Sequence, residues 1–504
     1  MNQKPALPGV ASRPVRVSSV IEELGFTRHH WHVFLLCSCV WAIGGWLATA
    51  LVYMLDAAGE HGADWVHLTS SDERLTMKDR SMMVAAATVL AGIANIIIGG
   101  SSDSIGRITT TLLCLLMASV STIGLAFAES KLTLMLMLMM CPFIRDGPCM
   151  PTGSLLAEWL PSKWRGTFLV ALHLVWNSGR VAVTILWFVL PPREHWQAFF
   201  LAVATFPLIF TVWLVARGSY FESPRWLAVC GDMDGCAKQL RRASEDEGTR
   251  EGTSAHCDEN LAVYDAASLV REFPDMRDRP WRDRLVDLLA PDVTTPLLLL
   301  VGVHFLLGFY NNGIFYWLIE YFNGVHMKVA AGPAMMANPC GKMLCALQLI
   351  LGGPERCLID RYSRVPLIQV GFFGTGLLLL VLTQTSSPVV AVAVVFLVGI
   401  LEELIWTVGG LYCAEIFPTT IRTTATGLCQ FAASLGMICC AVSIGALMEA
   451  ALQLPMLVMA AGMTAAGVLL YWSEESFGIT LRDCSPHHAK YGACQESPSP
   501  VNAT

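Results

Sequence analysis

Charged residues are scarce in this chain. They make up 14% of the 504 residues, and 54% of the residues are hydrophobic. A soluble domain typically contains roughly 25% charged residues. The mean hydropathy is +0.53. So few charges cannot cover a surface that faces water on all sides, so the composition predicts an integral membrane protein.

Other absences argue against a nucleic-acid-binding protein, a metal or cofactor site and an enzyme. The 33 Lys and Arg residues against 40 Asp and Glu residues give a formal charge of −7, which leaves no basic face for nucleic acid. The 17 cysteines include no Cys-x-x-Cys pair beside a His pair, so neither a zinc site nor any other metal or cofactor is expected. No nucleotide-binding loop or nucleophile elbow occurs, which makes an enzyme the weakest functional class.

Long apolar runs predict an all-α membrane protein with twelve transmembrane helices. A bilayer core of about 30 Å needs about 20 apolar residues in a helix. Seven runs of this kind are free of charge, three contain between one and three charges, and one is long enough to be split at Ser386–Pro388 into two helices. They cover residues 33–55, 81–102, 108–128, 132–160, 166–190, 195–216, 293–319, 329–354, 365–401 with its continuation to about residue 412, 423–448 and 450–473.

Basic residues in short loops predict the orientation, because such loops stay in the cytoplasm. Arg107, Arg165, Arg364 and Arg422 follow predicted spans two, four, eight and ten. Both termini are therefore expected inside the cell. The predicted order is a cytoplasmic segment (1–30), a six-helix bundle (31–227), a cytoplasmic linker (228–292), a second six-helix bundle (293–473) and a disordered cytoplasmic tail (474–504). The plasma membrane and organelle membranes both remain open, and no oligomeric state is indicated.

The two predicted bundles share landmarks at one spacing. Asp360 lies 257 residues after Asp103, and the segment AEIFPTTIRTT begins 257 residues after AEWLPSKWRGT. A constant spacing over about 70 residues indicates a duplication, and it predicts two similar bundles related by an axis along the membrane normal. The matched charges are Asp103 and Asp360, Arg107 and Arg364, Glu158 and Glu415, and Arg165 and Arg422.

Loop motifs carry a family resemblance. They read GGSSDSIGR (99–107), IDRYSR (359–364), ESPRWL (222–227), IEELGFTRHHW (21–31) and DLLAPDVTTPLLLL (287–300). With these motifs the chain resembles the major facilitator superfamily, and within it the synaptic-vesicle-two-related proteins and the organic cation and anion carriers. The resemblance implies two six-helix bundles that rock around a central site and transport a small organic solute by alternating access.

The chain also departs from that branch. Gly44 and Leu47 stand in span one where the branch has an Asp and a Glu, and Gln348 replaces an acid in span eight. The segment 56–80 contains neither Cys nor Asn, whereas the external loop of organic cation carriers has cysteines and glycosylation sites. Substrate and coupling ion therefore cannot be transferred from the resemblance.

A set of charges is expected at the cytoplasmic ends of the helices. In the resembled family such residues form ion pairs that are made in one transport state and broken in the other. The alternative is that they are surface charges that only set the orientation. Glu222 and Arg225 are expected to anchor the end of span six. The full set is Asp103, Arg107, Glu158, Arg165, Glu222, Arg225, Asp360, Arg361, Arg364, Glu415 and Arg422.

Charges inside the predicted spans point most directly to a site. A charge at bilayer depth costs several kcal/mol, so it usually faces a wet cavity or a partner. Arg145 and Asp146 lie in span four, and the spacing of 257 residues relates them to Glu402 and Glu403 in span ten. The hypothesis is that Arg145 faces one of these glutamates across the cavity and that the substrate competes for the pair. The alternative is a permanent salt bridge without substrate contact.

Further polar residues accompany these charges. Lys342 and Arg180 are central in spans eight and five, where either could meet an anionic substrate or neutralise a glutamate of span ten. His304 could titrate near neutral pH or serve as a hydrogen-bonded packing residue. Asn311 and Asn312 give span seven a polar stripe. The prolines and glycines of residues 141–153 predict a bent fourth span, and Trp41, Trp46, Trp176, Phe315 and Trp317 are candidates for stacking on a ring.

The sequence thus predicts secondary active or facilitative transport of a small organic solute, with an organic ion or zwitterion favoured and a sugar as the alternative substrate. Proton coupling is left open, with Asp146, Glu402 or Glu403 as the carrier acid. The expected partners are the solute, the lipid bilayer and, if transport is coupled, protons. The alternative function is a membrane receptor or scaffold that retains a transporter fold, because the loop motifs are degraded, with Ser104 where an Arg is usual.

Overall fold

The computed structural model describes residues 17–57, 77–128, 130–140, 147–192, 194–217, 221–248, 288–324, 331–351, 362–418 and 421–476. Every regular element in these ranges is a helix. The first half contains α1 (Val17–Leu24), α2 (Arg28–Ala57), α3 (Met77–Ile105), α4 (Arg107–Ala126), α5 (Lys131–Met139), α6 (Cys149–Trp159), α7 (Ser162–Val189), α8 (Trp196–Arg217), α9 (Pro224–Val229) and α10 (Met233–Gly248).

The second half repeats the arrangement of long helices. It contains α11 (Pro291–Gly324), α12 (Ala331–Leu351), α13 (Arg364–Gln384), α14 (Pro388–Ile416), α15 (Arg422–Ala450) and α16 (Leu454–Leu469), which ends in a 3-10 turn (Leu470–Trp472). The break between α13 and α14 lies where the sequence predicted it. Pro388 occupies the first turn of α14, where its missing N–H leaves no helical hydrogen bond unmade.

Ten of the described helices are long and apolar enough to cross a membrane. The fourth span is divided between α5 and α6, and α12 supplies the eighth span. With these two spans the chain has the predicted twelve-helix fold.

The described residues of the fourth span form two helices, where the prolines and glycines predicted a bend. Helix α5 ends at Met139, and α6 begins at Cys149 directly after Pro148. Proline is tolerated at a helix start but removes a hydrogen bond from a helix interior, so these residues favour a new helix rather than a continuous one. Arg145 and Asp146 lie outside the described residues. The hypothesis that Arg145 faces a glutamate of span ten therefore stays a prediction.

Each half has its own apolar core. The buried residues of one core all belong to residues 33–243. The other core consists of buried residues from 288–470, apart from Val170. The halves meet mainly through α3 with α15 and α7 with α12, and they also touch where α7 meets α14 and α6 meets α15. The molecule is therefore built as two separately packed bundles that contact each other along these helices.

Glycine sets the closest helix contacts in both bundles. A Cβ atom on Gly179 would collide with the backbone carbonyl of Ala42, where α7 crosses α2. A Cβ atom on Gly436 would collide with the backbone carbonyl of Phe305, where α15 crosses α11. The two glycines are 257 residues apart, so the duplication seen in the sequence is also present in the packing.

The short helices form a small separate cluster. Val17, Val20, Ile21 and Leu24 turn the apolar face of α1 towards residues of α9 and α10. Helix α10 falls in the segment predicted as a linker, residues 228–292. The remainder of that linker, residues 249–287, lies outside the described residues.

Candidate functional site

A cavity of ≈ 320 Å³ lies between the two halves. Its wall comes from spans one, four, five, seven, eight, nine, ten and eleven and from Leu470 at the end of span twelve. The polar and aromatic residues of the wall are Trp41, Thr49, Ser154, His173, Trp176, Asn177, Arg180, His304, Asn311, Lys342, Phe372, Glu403, Trp406, Thr407, Tyr412, Arg422, Thr426 and Gln430.

Glu402 is held within the second half. Lys342 Nζ lies 2.7 Å from Glu402 Oε1, and Asn338 Nδ2 donates to Glu402 Oε2 at 3.0 Å. The Lys342 and Glu402 side chains are 8% and 1% exposed. This contact joins α12 to α14 by a buried ion pair. In this state the positive charge of Lys342, at the cavity wall, is compensated by a carboxylate of its own half.

Glu403 is held by the opposite half. His173 Nδ1 lies 3.4 Å from Glu403 Oε1, and Asn177 Nδ2 donates to Glu403 Oε2 at 3.2 Å. Thr407 of the same helix donates to Glu403 Oε1 at 3.3 Å. Adjacent helix residues diverge by about 100°, so α14 can direct one glutamate into its own bundle and the next one across the interface.

Arg180 extends this polar cluster along α7. Its Nη1 donates to Asn177 Oδ1 at 3.5 Å, and its side chain lines the cavity. One turn further on, Thr184 donates to the carbonyl of Arg180 and accepts a hydrogen bond from Tyr53 of α2 at 2.8 Å. A guanidinium at this depth presents several N–H donors to a carboxylate that enters the cavity.

Aromatic rings flank these polar groups. The ring of Trp41 lies 5.0 Å from that of His173 and 6.1 Å from that of Trp176, centre to centre. Trp46 has a packing role, because its Nε1 donates to the carbonyl of Val203 at 3.1 Å. The structure does not describe the side chains of Phe315 and Trp317.

Span seven contributes two of the predicted polar residues to the cavity wall. His304 donates through Nδ1 to the carbonyl of Leu300, one turn earlier, at 2.8 Å. Asn311 lines the cavity, and the side chain of Asn312 lies outside the description. The helical hydrogen bond of His304 fits the packing role that the sequence left open for it.

One end of the molecule, defined by Asp103, Arg107, Glu158, Arg364 and Glu415, carries a duplicated set of ion pairs and is named the charged end. Arg107 Nη1 lies 2.9 Å from Asp103 Oδ1, and Arg107 Nη2 lies 2.9 Å from Glu158 Oε1. In the second half Arg364 Nη2 lies 3.1 Å from Glu415 Oε1. The ion pair of Arg107 and Glu158 thus recurs between their repeat counterparts, Arg364 and Glu415. Asp360 and Arg361 lie outside the described residues.

The residues that follow span six complete the first set. Glu222 accepts hydrogen bonds from the backbone N–H groups of Arg107 and Ile108, both at 3.2 Å, and so closes the start of α4. Ser223 donates to Glu158 Oε2 at 2.5 Å. Burial raises the pKa of Glu222, and the backbone N–H groups that it accepts from oppose that shift. Arg225 Nε donates to the carbonyl of Glu158, so it anchors the same end.

The matching residues of the second half, Glu475 and Ser476, were not predicted from the sequence. Glu475 accepts from the backbone N–H groups of Arg364 and Val365 at 2.8 and 3.2 Å, and Ser476 donates to Glu415 Oε2 at 2.7 Å. Glu475 follows Glu222 by 253 residues instead of 257. The dipeptide Glu-Ser after both span six and span twelve was the signal that could have revealed it.

The two halves touch each other at the charged end. Asp103 Oδ2 accepts from the backbone N–H and the hydroxyl of Thr424 at 3.1 and 2.9 Å. The hydroxyls of Ser154 and Thr423 lie 3.2 Å apart, and Arg422 Nη1 lies 3.8 Å from Glu158 Oε1. The charged end is therefore closed in this state. Arg165 donates within its own half, to the carbonyls of Ala157 and Leu160.

Comparison with known families assigns this architecture. The family described as "Sugar (and other) transporter" matches residues 50–474. The chain belongs to this family. The predicted membership of the major facilitator superfamily is thereby confirmed, and this member of the sugar transporter family is a multi-pass integral membrane protein.

Curated relatives of this family member transport different solutes. It is 23% identical over 394 residues to organic anion transporter 3 of Oryctolagus cuniculus, with 74% of this chain and 64% of the relative covered. This match thus spans less than two thirds of the relative. It is 26% identical over 395 residues to the cis,cis-muconate transport protein of Acinetobacter baylyi, with 77% of this chain and 84% of the relative covered.

A solved structure shows the same fold. The proton:xylose symporter XylE superposes with a TM-score of 0.70 at 15% identity, over 90% of this chain and 98% of XylE. At this identity the likeness establishes the architecture of the family member but not its solute.

Proposed function

We propose that the protein moves a small organic anion or zwitterion across a membrane by alternating access of its two halves. One observation carries the proposal: the cavity between the separately packed halves brings Arg180, Lys342 and the amides of Asn177 and Asn311 together at its wall. Basic groups within a membrane span usually face a solute pathway or a partner.

The chemistry of the wall favours an anionic solute. Arg180 offers a planar set of donors that suits a carboxylate better than a single ammonium would. Trp41 and Trp176 provide apolar ring faces for the carbon skeleton of the solute. Binding sites for small molecules combine such apolar walls with a few well-placed polar groups, and a volume of ≈ 320 Å³ fits a small metabolite.

The relatives support the same choice. The names of the rabbit and Acinetobacter relatives specify an organic anion and a dicarboxylate. XylE is named as a xylose symporter, and the amides of the cavity would also suit sugar hydroxyls, so a sugar is the competing solute in the test below.

The charged end is proposed to be the cytoplasmic gate, with both chain termini on the same side. Its contacts join the halves at Asp103–Thr424, Ser154–Thr423 and Glu158–Arg422. Rocking of the halves requires these contacts to break. Contacts that exist in only one of the two states stabilise that state relative to the other. When the two states are close in free energy, even weak contacts of this kind bias the equilibrium between them.

The test is uptake by proteoliposomes that contain only this protein. Radiolabelled cis,cis-muconate and xylose are offered separately, with and without an inward proton gradient, to the wild type, Arg180→Gln and the matched control Lys238→Gln. Lys238 is an exposed cation on α10 and is not one of the residues that line the cavity. Loss of a charge-assisted hydrogen bond from Arg180 is expected to lower kcat/KM for the anion about 10- to 100-fold, whereas Lys238→Gln should transport normally.

Other outcomes would contradict the proposal. Uptake of xylose without uptake of muconate would replace the anion by a sugar. Anion uptake that Arg180→Gln leaves unchanged would move the solute away from α7. A protein that accumulates neither solute, although correctly folded and oriented in the vesicles, would favour the receptor or scaffold role.

A further inference from the structure

We propose that the contact between His173 and Glu403 is the proton-binding site of the transport cycle, and that the bound proton strengthens the attachment of the two halves in the state described here. The role in transport rests on the proposed function, but the proton binding and its effect on the halves do not. Neither His173 nor Asn177 was a candidate from the sequence.

The contact lies deep between the halves. His173 follows Ser162, the first residue of α7, by 11 residues, which is about 16 Å along the helix. Glu403 precedes Ile416, the last residue of α14, by 13 residues, or about 20 Å. Both side chains line the cavity, and that of His173 remains 17% exposed. A proton that enters the cavity can therefore reach the imidazole.

The position of Glu403 makes it sensitive to motion between the halves. His173 and Asn177, two of its three hydrogen-bond donors, belong to the first half, and only Thr407 belongs to its own helix. Hydrogen bonds of 3.2–3.4 Å are lost when the partners separate by a further ångström or so. Glu402 differs in this respect, because Lys342 and Asn338, which contact it, belong to its own half.

A proton changes the strength of this contact. Neutral His173 donates one N–H to the carboxylate of Glu403, whereas protonated His173 also carries a full positive charge and forms an ion pair with it, which is attracted more strongly in a medium of low polarity. Histidine is the side chain whose charge ordinarily changes between pH 5 and 8. Because the contact exists only while the halves are together, protonation favours this state, and by thermodynamic reciprocity this state favours protonation.

Among the described residues, His173 is the basic side chain that contacts Glu403 directly. The charge of Lys342 is compensated by Glu402 at 2.7 Å, and His304 is bonded to the carbonyl of Leu300. An anionic solute in the cavity would compete with Glu403 for the imidazolium and so loosen the halves. In the part of the chain that the structure describes, the other titratable side chains that line the same cavity are Cys149, Arg180, His304, Lys342, Tyr412, Cys413 and Arg422, and Tyr310, Cys345 and Glu402 are buried on the same helices of the second half.

A disulfide cross-link tests the effect of the proton without any solute. The hydroxyls of Ser154 and Thr423 lie 3.2 Å apart across the halves, so cysteines at these positions come within disulfide range while the charged end is closed. The variant Ser154→Cys with Thr423→Cys is placed in nanodiscs and oxidised with copper phenanthroline between pH 5.5 and 8. Mass spectrometry of peptides identifies this cross-link among those of the 17 native cysteines.

The readout is the cross-linking rate divided by the rate of the same protein carrying His173→Gln at the same pH, which removes the intrinsic pH dependence of thiol chemistry. We expect this ratio to rise about fivefold from pH 8 to pH 5.5, as the contact becomes an ion pair. Glu403→Gln is the second comparison and should give the same rise. Lys238→Gln is the control and should give a ratio to the wild type that does not vary with pH.

The opposite result is equally definite. A ratio that stays constant with pH in both comparisons would overturn the inference, even if the protein transports anions. If His173→Gln does not yield folded protein, Glu403→Gln alone decides. An absence of uptake in proteoliposomes, combined with the expected rise of the ratio, would refute the proposed function and leave the proton site standing.

Discussion

Replacement of Lys342 by methionine removes the cation that lies 2.7 Å from Glu402 and leaves a carboxylate that is 1% exposed. Glu402→Gln produces the opposite defect, a buried ammonium without its carboxylate. Removal of one partner of a buried ion pair destabilises a protein by about 3–5 kcal/mol, because the remaining charge stays in a medium of low polarity. Each single variant should therefore lose stability by that amount.

The double variant should recover most of the loss. Methionine is close to lysine in length, and the glutamine carbonyl can still accept the hydrogen bond that Asn338 donates to Glu402 at 3.0 Å. Replacement of a whole buried ion pair by uncharged groups of similar volume is often neutral. We therefore expect a coupling of about 3 kcal/mol or more between the two sites in a double-mutant cycle.

The assay is thermal unfolding of purified protein in one detergent at one pH, followed by intrinsic tryptophan fluorescence. For bundles of this size a loss of 3–5 kcal/mol lowers Tm by about 10 °C. The double variant should melt within about 3 °C of the wild type. A double variant that melts at the temperature expected from the sum of both single losses would refute the reasoning, because the two charges would then act independently.

Two further predictions compare repeat positions with matched controls. Gly436→Ala should lower Tm in the same assay, because its new Cβ would collide with the carbonyl of Phe305. The control Gly100→Ala has open space around the new Cβ and should leave Tm unchanged or raise it. Equal effects of the two variants would mean that α15 and α11 do not pack closely at Gly436. Glu158→Gln should slow the cysteine cross-link at the charged end several-fold, because it weakens a contact between the halves. Glu415→Gln breaks a contact within one half and should leave the cross-linking rate unchanged. Equal slowing by both variants would contradict the assignment of Glu158 to the contact between the halves.

The duplication was the most informative feature of the sequence. The constant spacing that related Arg107 to Arg364 and Glu158 to Glu415 reappears as two equivalent ion pairs. It could be read because these charges end long apolar runs and stand out from them. Span boundaries followed from the same contrast, as at the break before Pro388.

The partners within the cavity were less accessible to sequence reasoning. Glu402 and Glu403 were recognised as unusual, but nothing in their order shows that one faces Lys342 in its own half and the other faces His173 in the opposite half. That division depends on the rotation of α14 and on the packing of α7 across the interface. Asn177 was overlooked because it is an uncharged residue in an apolar helix, which resembles any packing amide until its partner is known.

The separation of the two apolar cores has a consequence for the covalent chain. Because only Val170 of the first half contributes a buried residue to the core of the second, each bundle already possesses the interior that it needs to fold alone. The peptide link between the bundles then acts chiefly by raising their effective concentration for each other. If the chain is divided within 249–287 and its two parts are expressed as separate polypeptides, we expect them to associate and reconstitute the complete molecule, because diffusion in a bilayer is confined to two dimensions.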